Sequence, residues 1–399
     1  MKVPVLRIPF TDDDRAFMRA GIDEILNSGM LTQGKHTERF EQLFRELTGA
    51  RYSIAVSNAT AGLEIILRAL EVEEKSVIVP TNTFMATAFA VIHSGNRVIF
   101  ADSDPRTLCL DVEDVRRRIA PDTRAVILVH VGGVITPAVH DLKRLCDERG
   151  LHFIEDCAHA HGCALAGQQA GTFGVAGAFS FFPTKVLTTG EGGMITTDDE
   201  GLYRRALMIR NHGKNPACGN RMSEMGHNHR LSEFTALVGV QQLARAHTII
   251  DERRRVARFY DKSLRGMAGA RPLELPEDLQ SSYYKYPVYL DETIDRSRLK
   301  RVLKEQYGVS LTGEVYADLC HTEPVWQTHT CCGRRRTNGA TPCLHGSACN
   351  GTASAADFPG AEYISRHHVC LPLYPDLDEA ELTHVVESLE RALSESGGD

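Results

Sequence analysis

The sequence predicts an α/β fold: a mostly parallel, doubly wound sheet in a large domain, followed by a smaller α+β domain. From about residue 52 to 200, short runs rich in Val, Ile and Phe alternate with helical stretches. These runs are almost continuously apolar, as expected for strands whose two faces are both covered by helices. From about residue 247 the chain changes to long, charged amphipathic segments. The repeated β-α-β order indicates the parallel sheet, and the change of texture indicates the second domain.

The elements of the large domain follow from these runs in chain order. Leu63 is followed by apolar residues at i+3, i+4 and i+7, which predicts a helix. Pro137 and Gly150 mark the start and the end of another. Strands are expected at 76–80 (SVIVP), 97–102 (RVIFAD), 125–130 (AVILVH), 152–156 (HFIED), 178–182 (AFSFF) and 193–197 (GMITT).

The second domain contains a long basic helix from residue 251, a strand within 283–291 and a closing amphipathic helix near 378–393. We therefore expect a large domain at 1–246, with the N-terminal segment included, and a small domain at 247–399. Residues 327–355 are rich in Gly, Thr, Cys and Arg without periodicity, which predicts a long loop insertion.

The composition limits the function. The 399 residues carry a formal net charge of −7, and this acidity argues against nucleic acid as a main partner. No apolar run is long enough to span a membrane. The N-terminal stretch has no long apolar segment and no small-residue cleavage site, so we expect no signal peptide and a cytoplasmic location.

Lys185 is the first candidate for chemistry. It follows the predicted strand 178–182, at the edge where open α/β sheets bind their ligands. Most lysines are exposed surface residues, but Phe181, Phe182 and Val186 indicate that this one is partly buried. Burial lowers the pKa of an amine and makes it a nucleophile suited to a Schiff base.

Asp156 closes the predicted strand 152–156, where a buried carboxylate needs a cation or strong donors. One such cation is the pyridinium nitrogen of pyridoxal phosphate (PLP). The alternative is that Asp156 only caps the next helix. His159 could contact the cofactor ring or lie under that helix.

Residues 57–70 (SNATAGLEIILRAL) begin a helix with small and hydroxylated residues, and such a helix start can bind a phosphate group. The same residues begin many ordinary helices, so this signal alone is weak. Ser180 adds a hydroxyl at the same sheet edge. Together these features supply what a PLP enzyme needs.

The chain resembles the DegT/StrS-type family of nucleotide-sugar aminotransferases, which have the aspartate-aminotransferase (type I) fold. The resemblance runs from residues 8–10 to the C-terminal CLPLYPDLDEAEL. It is most specific in VIVPTNTFMATAFAVIHSGNRVIFADSDP, IEDCAHAHG, FSFFPTKVLTTGEGG, RNHG and GHNHRLSEFTALVG.

The resemblance implies that Lys185 is the Schiff-base lysine of PLP and that Asp156 pairs with the pyridine nitrogen. It places His159 near the ring hydroxyl and Phe84 against the ring face. Some relatives have a His at this position and dehydrate sugars. The Lys at position 185 therefore favours amino transfer.

The resemblance further implies that Thr60, Ala61 and Ser180 bind the cofactor phosphate. Asn228 matches an Asn that reaches the phosphate of the partner subunit's cofactor, which implies a homodimer with shared active sites. The expected reaction is amino transfer from glutamate or glutamine to a nucleotide-linked keto sugar, in amino-sugar or natural-product (antibiotic) biosynthesis. An inosose-type cyclitol as substrate, or a non-catalytic regulatory member of the same fold, are the alternatives.

A late group of Cys and His residues has no CxxC pair, which a zinc knuckle would normally show. A structural metal and a redox-labile loop are possible interpretations, but we favour an insertion without chemistry and assign no metal site. The residues are Cys320, His321, Cys331, Cys332, Cys343, His345 and Cys349.

Overall fold

The computed structural model describes residues 1–333 and 355–396. Within these ranges no helix is long and apolar enough to cross a membrane. The helices are α1 (Asp12–Ser28), α2 (Lys35–Thr48), α3 (Ala59–Ala69), α4 (Met85–His93), α5 (Val112–Arg118), α6 (Val139–Arg149), α7 (Glu200–Arg210), α8 (Glu233–Ala244), α9 (Ala246–Ser263), α10 (Arg296–Glu305), α11 (Val325–Thr328), α12 (Pro359–Arg366) and α13 (Glu379–Ser396).

The strands fall into one large sheet and three small ones. They are β1 (Tyr52–Val56), β2 (Ser76–Pro80), β3 (Arg97–Ala101), β4 (Thr123–Val129), β5 (His152–Asp156), β6 (Ala164–Leu165), β7 (Gln168–Gln169), β8 (Ala176–Ser180), β9 (Gly193–Thr197), β10 (Lys214–Asn215), β11 (Arg221–Met222), β12 (Ala270–Pro272), β13 (Leu279–Gln280), β14 (Tyr286–Leu290) and β15 (His368–Leu371).

The large sheet has the strand order β1-β9-β8-β5-β4-β2-β3. β9 runs antiparallel to both of its neighbours, and the other pairs are parallel. The predicted strands at 76–80, 152–156 and 193–197 are confirmed residue for residue. The strand expected at 178–182 lies instead at 176–180, because pairing with β5 begins at Ala176 and Phe182 is already exposed.

Two layers of apolar side chains cover the two faces of this sheet. One cluster joins β2 and β4 to α2 and α6, and the other packs α3, α4 and α7 against the opposite side. α3 is buried along most of its length. Its packing against β8, β9 and the neighbouring α4 fixes the helix start next to the ends of β5 and β8.

The C-terminal unit has its own core, formed by α9, α10, α13 and the β12-β14-β15 sheet. Core contacts cross the expected division at residue 246 in both directions. Val3 pairs with Val309 and packs in the C-terminal core, although residues 1–246 were expected to form the large domain. Cys320 and Phe358, on either side of the insertion, pack on the large sheet.

Candidate active site

A cavity of about 790 Å³ opens at the carboxyl ends of the parallel strands. Three of its lining residues, Val129, Asp156 and Ser180, are the last residues of β4, β5 and β8. From β2 the chain adds β3 on one side and β4 on the other side. Open α/β sheets form their binding crevices where the strand order changes direction in this way. The predicted residues Thr60, Ala61, Phe84, Asp156, His159, Ser180 and Lys185 all line this cavity.

Lys185 lies in the loop after β8 and is half-buried. Its Nζ lies 4.7 Å from the centroid of the Tyr284 ring, a cation–π distance. Burial lowers the pKa of the Lys185 ammonium to about 8, while the Asp156 carboxylate acts in the opposite direction. About a tenth of this amine is therefore uncharged at pH 7, far more than for a lysine at its ordinary pKa.

Asp156 is 5% exposed at the end of β5. Its carboxylate accepts hydrogen bonds from the Thr87 hydroxyl at 2.7 Å and from the Ala158 N–H at 3.1 Å. Burial raises the pKa of the Asp156 carboxyl, and these two donors only partly compensate. The carboxylate is thus held by neutral donors, and a cation in the cavity would stabilise its charged form.

His159 has a defined tautomer. The Gly132 N–H donates to His159 Nδ1 at 3.2 Å, so the ring proton is on Nε2. Nε2 lies 3.1 Å from the Tyr316 hydroxyl and donates to it. The ring stacks on Tyr284 at a centroid distance of 4.0 Å. Burial lowers the pKa of His159 well below its usual range, so the ring is neutral.

Residues 58–61 at the start of α3 form a polar part of the cavity wall, which we call the cradle. Asn58 caps the helix, and its side chain accepts from the Ala61 N–H at 2.8 Å. Among the described residues, the N–H groups of Ala59 and Thr60 have no hydrogen-bond acceptor. They are the donors that remain for an anion, together with the helix dipole. Ala61 thus lines the cavity, but its own N–H is already used.

Phe84 precedes α4 and is 65% exposed, an unusual degree for a phenylalanine next to a cavity. Its ring is available to cover a flat ligand. Asn228, by contrast, does not line the cavity of its own chain. It is exposed, and its backbone pairs with Asn211.

Only some of the late Cys and His residues lie in the described part of the chain. Cys320 is buried, and its thiol donates to the Thr83 carbonyl at 3.0 Å, next to the cavity wall. The Cys331 carbonyl accepts from the Val98 N–H of β3 at 3.1 Å. Cys343, His345 and Cys349 lie outside the described residues.

His130, Glu155 and Cys157 form a separate buried group of potential metal ligands. Glu155 accepts hydrogen bonds from the N–H groups of Gly171, Phe173 and Gly174 and lies 2.8 Å from His130 Nε2. Its oxygens are therefore saturated. The hydrogen bonds to Glu155 hold the turn at residues 171–174 in place.

Sequence reasoning missed Thr87 and Tyr284, and it assigned Tyr316 no contact within the site. Thr87 lies one helical turn after Phe84 and could have been found from that spacing. Tyr284 and Tyr316 come from the C-terminal unit, and no local pattern connects them with Lys185.

Comparison with known proteins agrees with this geometry. The model of the DegT/DnrJ/EryC1/StrS aminotransferase family matches residues 12–390. GDP-perosamine synthase of Vibrio cholerae is 32% identical over 302 residues, which cover 74% of this chain and 80% of that protein.

Solved structures are similar over almost the whole chain. DesI, determined in the presence of its TDP-sugar product, has a TM-score of 0.81 at 30% identity and covers 96% of this chain and 91% of its own. NtdA of Bacillus subtilis, with bound cofactor PMP, has a TM-score of 0.84 at 26% identity and covers 98% of this chain and 85% of its own.

These comparisons confirm the predicted type I fold, the aminotransferase activity and PLP as the cofactor. The chain belongs to the DegT/DnrJ/EryC1/StrS aminotransferase family.

Proposed function

We propose that this protein transfers an amino group from glutamate or glutamine to a nucleotide-linked keto sugar, with PLP as cofactor. Two similar proteins support the substrate class: GDP-perosamine synthase, and DesI with its TDP-sugar product. The observation that carries the proposal is that one cavity holds a half-buried lysine, a buried carboxylate and a helix start with free N–H groups.

The residues of the cavity fit PLP. Asp156 is a buried carboxylate without a direct cationic partner among the described residues, and the ring nitrogen of the cofactor would supply that cation. Ala59, Thr60 and Ser180 would hold the phosphate, with Ala61 closing the cradle. Phe84 would cover the ring, and His159 would lie near its hydroxyl.

Each side chain then has a distinct task. PLP supplies an electron sink that stabilises negative charge on the substrate carbon next to the transferred nitrogen. Asp156 would keep the ring nitrogen of PLP protonated, so that the electron sink stays positively charged. Lys185 Nζ, with its pKa lowered to about 8, removes a proton from the donor carbon and delivers one to the sugar carbon.

The hydrogen bond from His159 positions the Tyr316 hydroxyl. Because His159 Nε2 donates to the Tyr316 oxygen, the hydroxyl proton of Tyr316 is left to donate to another acceptor. Thr87 keeps the Asp156 carboxylate oriented. These contacts come from both structural units.

We further propose that the protein works as a homodimer in the cytoplasm and that Asn228 reaches the partner's cofactor phosphate. Asn228 is exposed in its own chain, as a residue acting in the partner would be. Large apolar side chains of α1 and the segment after it are also exposed, which suits a contact with a second copy. They are Phe17 (40%), Ile22 (40%), Leu26 (59%), Met30 (56%) and Leu31 (51%).

The function is tested with ¹⁵N-labelled glutamate and glutamine against a panel of nucleotide-linked keto sugars and an inosose. We expect the label to appear in an amino sugar with the wild type and to be absent with Lys185→Ala. Transfer to the inosose alone would reassign the substrate class. Absence of transfer to every acceptor would favour a non-catalytic member of the family.

The shared site is tested by mixing Lys185→Ala with Asn228→Asp, whose added negative charge repels phosphate. In a mixed dimer both lesions fall in one site, so the other site is intact and part of the activity returns. Two inactive parents that exchange subunits without recovery would show that Asn228 acts within its own chain.

A further inference from the structure

A second, smaller cavity adjoins the large cavity at Tyr284. Its volume is about 190 Å³, and we call it the Lys285 pocket. It shares the wall residues Thr184 and Tyr284 with the large cavity. The lining consists of Val5, Leu6, Thr184, Arg253, Tyr284, Lys285, Thr312, Gly313, Leu371 and Leu373.

Lys285 is a half-buried cation in this pocket. Its Nζ lies 5.4 Å from the centroid of the Tyr284 ring, the same ring that Lys185 approaches. Within residues 1–333 and 355–396, no carboxylate forms an ion pair with Lys285. Burial lowers the pKa of the Lys285 ammonium, as expected for a cation whose charge is poorly compensated.

Arg253 supplies a second cation and is 2% exposed. Its Nε and one Nη group donate to the carbonyls of Ser282, Tyr283 and Tyr284, which fixes the guanidinium. The remaining group, Nη1, has no acceptor in the described part of the chain. Arg253 thus holds residues 282–284 in place, and its Nη1 group is left to donate to a ligand.

The charges of the pocket are of one sign. None of the described residues that line it is Asp or Glu. Glu314 follows the lining residue Gly313, but its carboxylate is paired with Lys300 at 2.6 Å. The buried Arg253 and the half-buried Lys285, without a carboxylate beside them, favour an anionic ligand.

We propose that the Lys285 pocket binds a carboxylate group of the amino-acid donor, with Lys285 and Arg253 as the contacts. The inference rests on the proposed aminotransferase function and names a subsite for it. The Nζ atoms of Lys185 and Lys285 lie 4.7 Å and 5.4 Å from the centroid of the same ring, so the two amines are at most about 10 Å apart, a distance that a short amino acid can bridge.

The size and the walls of the pocket favour a carboxylate over the nucleotide diphosphate. The pocket is about a quarter of the volume of the large cavity, and Val5, Leu6, Leu371 and Leu373 form an apolar side. Such a wall suits the methylene groups of a short amino acid. The large cavity has the room that a nucleotide sugar needs.

Binding of glutarate to the holoenzyme tests the subsite without turnover. Glutarate carries the carboxylates of the donor but no amine, and titration calorimetry gives its Kd. We expect Lys285→Met to raise this Kd about tenfold or more, the usual effect of losing a hydrogen bond to a charged group. Lys285→Arg should retain binding, and Lys262→Met, at an exposed lysine, is the matched control.

Steady-state kinetics give the second readout. In Lys285→Met the KM for glutamate should rise by a similar factor, and the KM for the keto sugar should not change. A rise for glutamate but not for glutamine would assign the side-chain carboxylate to the pocket. A rise for both donors would assign the α-carboxylate, and either result supports the proposal.

Wild-type affinity for glutarate in Lys285→Met, or a rise only in the KM for the sugar, would overturn the proposal. If Lys285→Met folds poorly by circular dichroism, Lys285→Gln removes the same charge and replaces it in both assays. An enzyme that transfers amines but does not bind glutarate refutes the subsite alone. A protein that transfers no amine from any donor refutes the proposed function instead.

Discussion

The reactivity of Lys185 provides a quantitative test of the site. Burial lowers the pKa of Lys185 from 10.5 to about 8, against the attraction of Asp156. At pH 7 about one Lys185 amine in eleven is then uncharged, compared with about one in three thousand for a lysine at its ordinary pKa. Lys185 should therefore react about 300-fold faster than such a lysine of equal intrinsic reactivity.

The assay is carbamylation by cyanate in cofactor-free protein, followed at Lys185 by peptide mass spectrometry over a series of pH values. The rate should rise with pH and level off above about pH 8, because only the uncharged amine reacts. In Asp156→Asn the midpoint should move to lower pH, since the carboxylate raises the pKa of Lys185. In Lys285→Met it should move to higher pH, since the second ammonium lowers that pKa.

Two results would refute this reasoning. A midpoint at or above the ordinary value of 10.5 would mean that Lys185 is solvated like a surface lysine. A shift to higher pH in Asp156→Asn would mean that the carboxylate does not face the amine as the structure has it.

Three further substitutions test other parts of the site. Asp156→Asn should keep PLP bound and slow turnover strongly, because an amide cannot hold the ring nitrogen protonated; normal turnover would reduce Asp156 to a structural cap. Thr87→Val should lower the free energy of unfolding by about 1–3 kcal/mol in urea, because Asp156 loses a buried donor; unchanged stability would contradict that contact. Gly193→Ala should weaken PLP binding measured by titration, because a Cβ there would overlap the Asn58 backbone and displace the start of α3; wild-type affinity would show that the cradle tolerates the shift.

The sequence was most informative where buried strands meet the site. The run 152–156 has the apolar pair Phe153 and Ile154 before its two carboxylates, so both the strand and the position of Asp156 at its end could be predicted. The neighbours of Lys185 likewise indicated partial burial, which the structure confirms. The boundary of β8 was placed two residues late because Phe181 and Phe182 are as apolar as the strand itself.

The missed features depend on contacts between distant parts of the chain. Tyr284 and Tyr316 reach Lys185 and His159 only after the C-terminal unit has packed on the sheet. Val3 pairs with Val309, and neither residue carries a local signal for this pairing. Periodicity describes an element and its buried face but not which distant element covers it.

The role of Lys185 as the cofactor lysine is the central claim, and reductive trapping tests it most directly. The holoenzyme is treated with borohydride and digested, and the peptides that carry the cofactor are sequenced by mass spectrometry. We expect the cofactor on Lys185 alone in the wild type and on no lysine in Lys185→Ala. Cofactor attached to another lysine in the wild type, or to none, would contradict the claim.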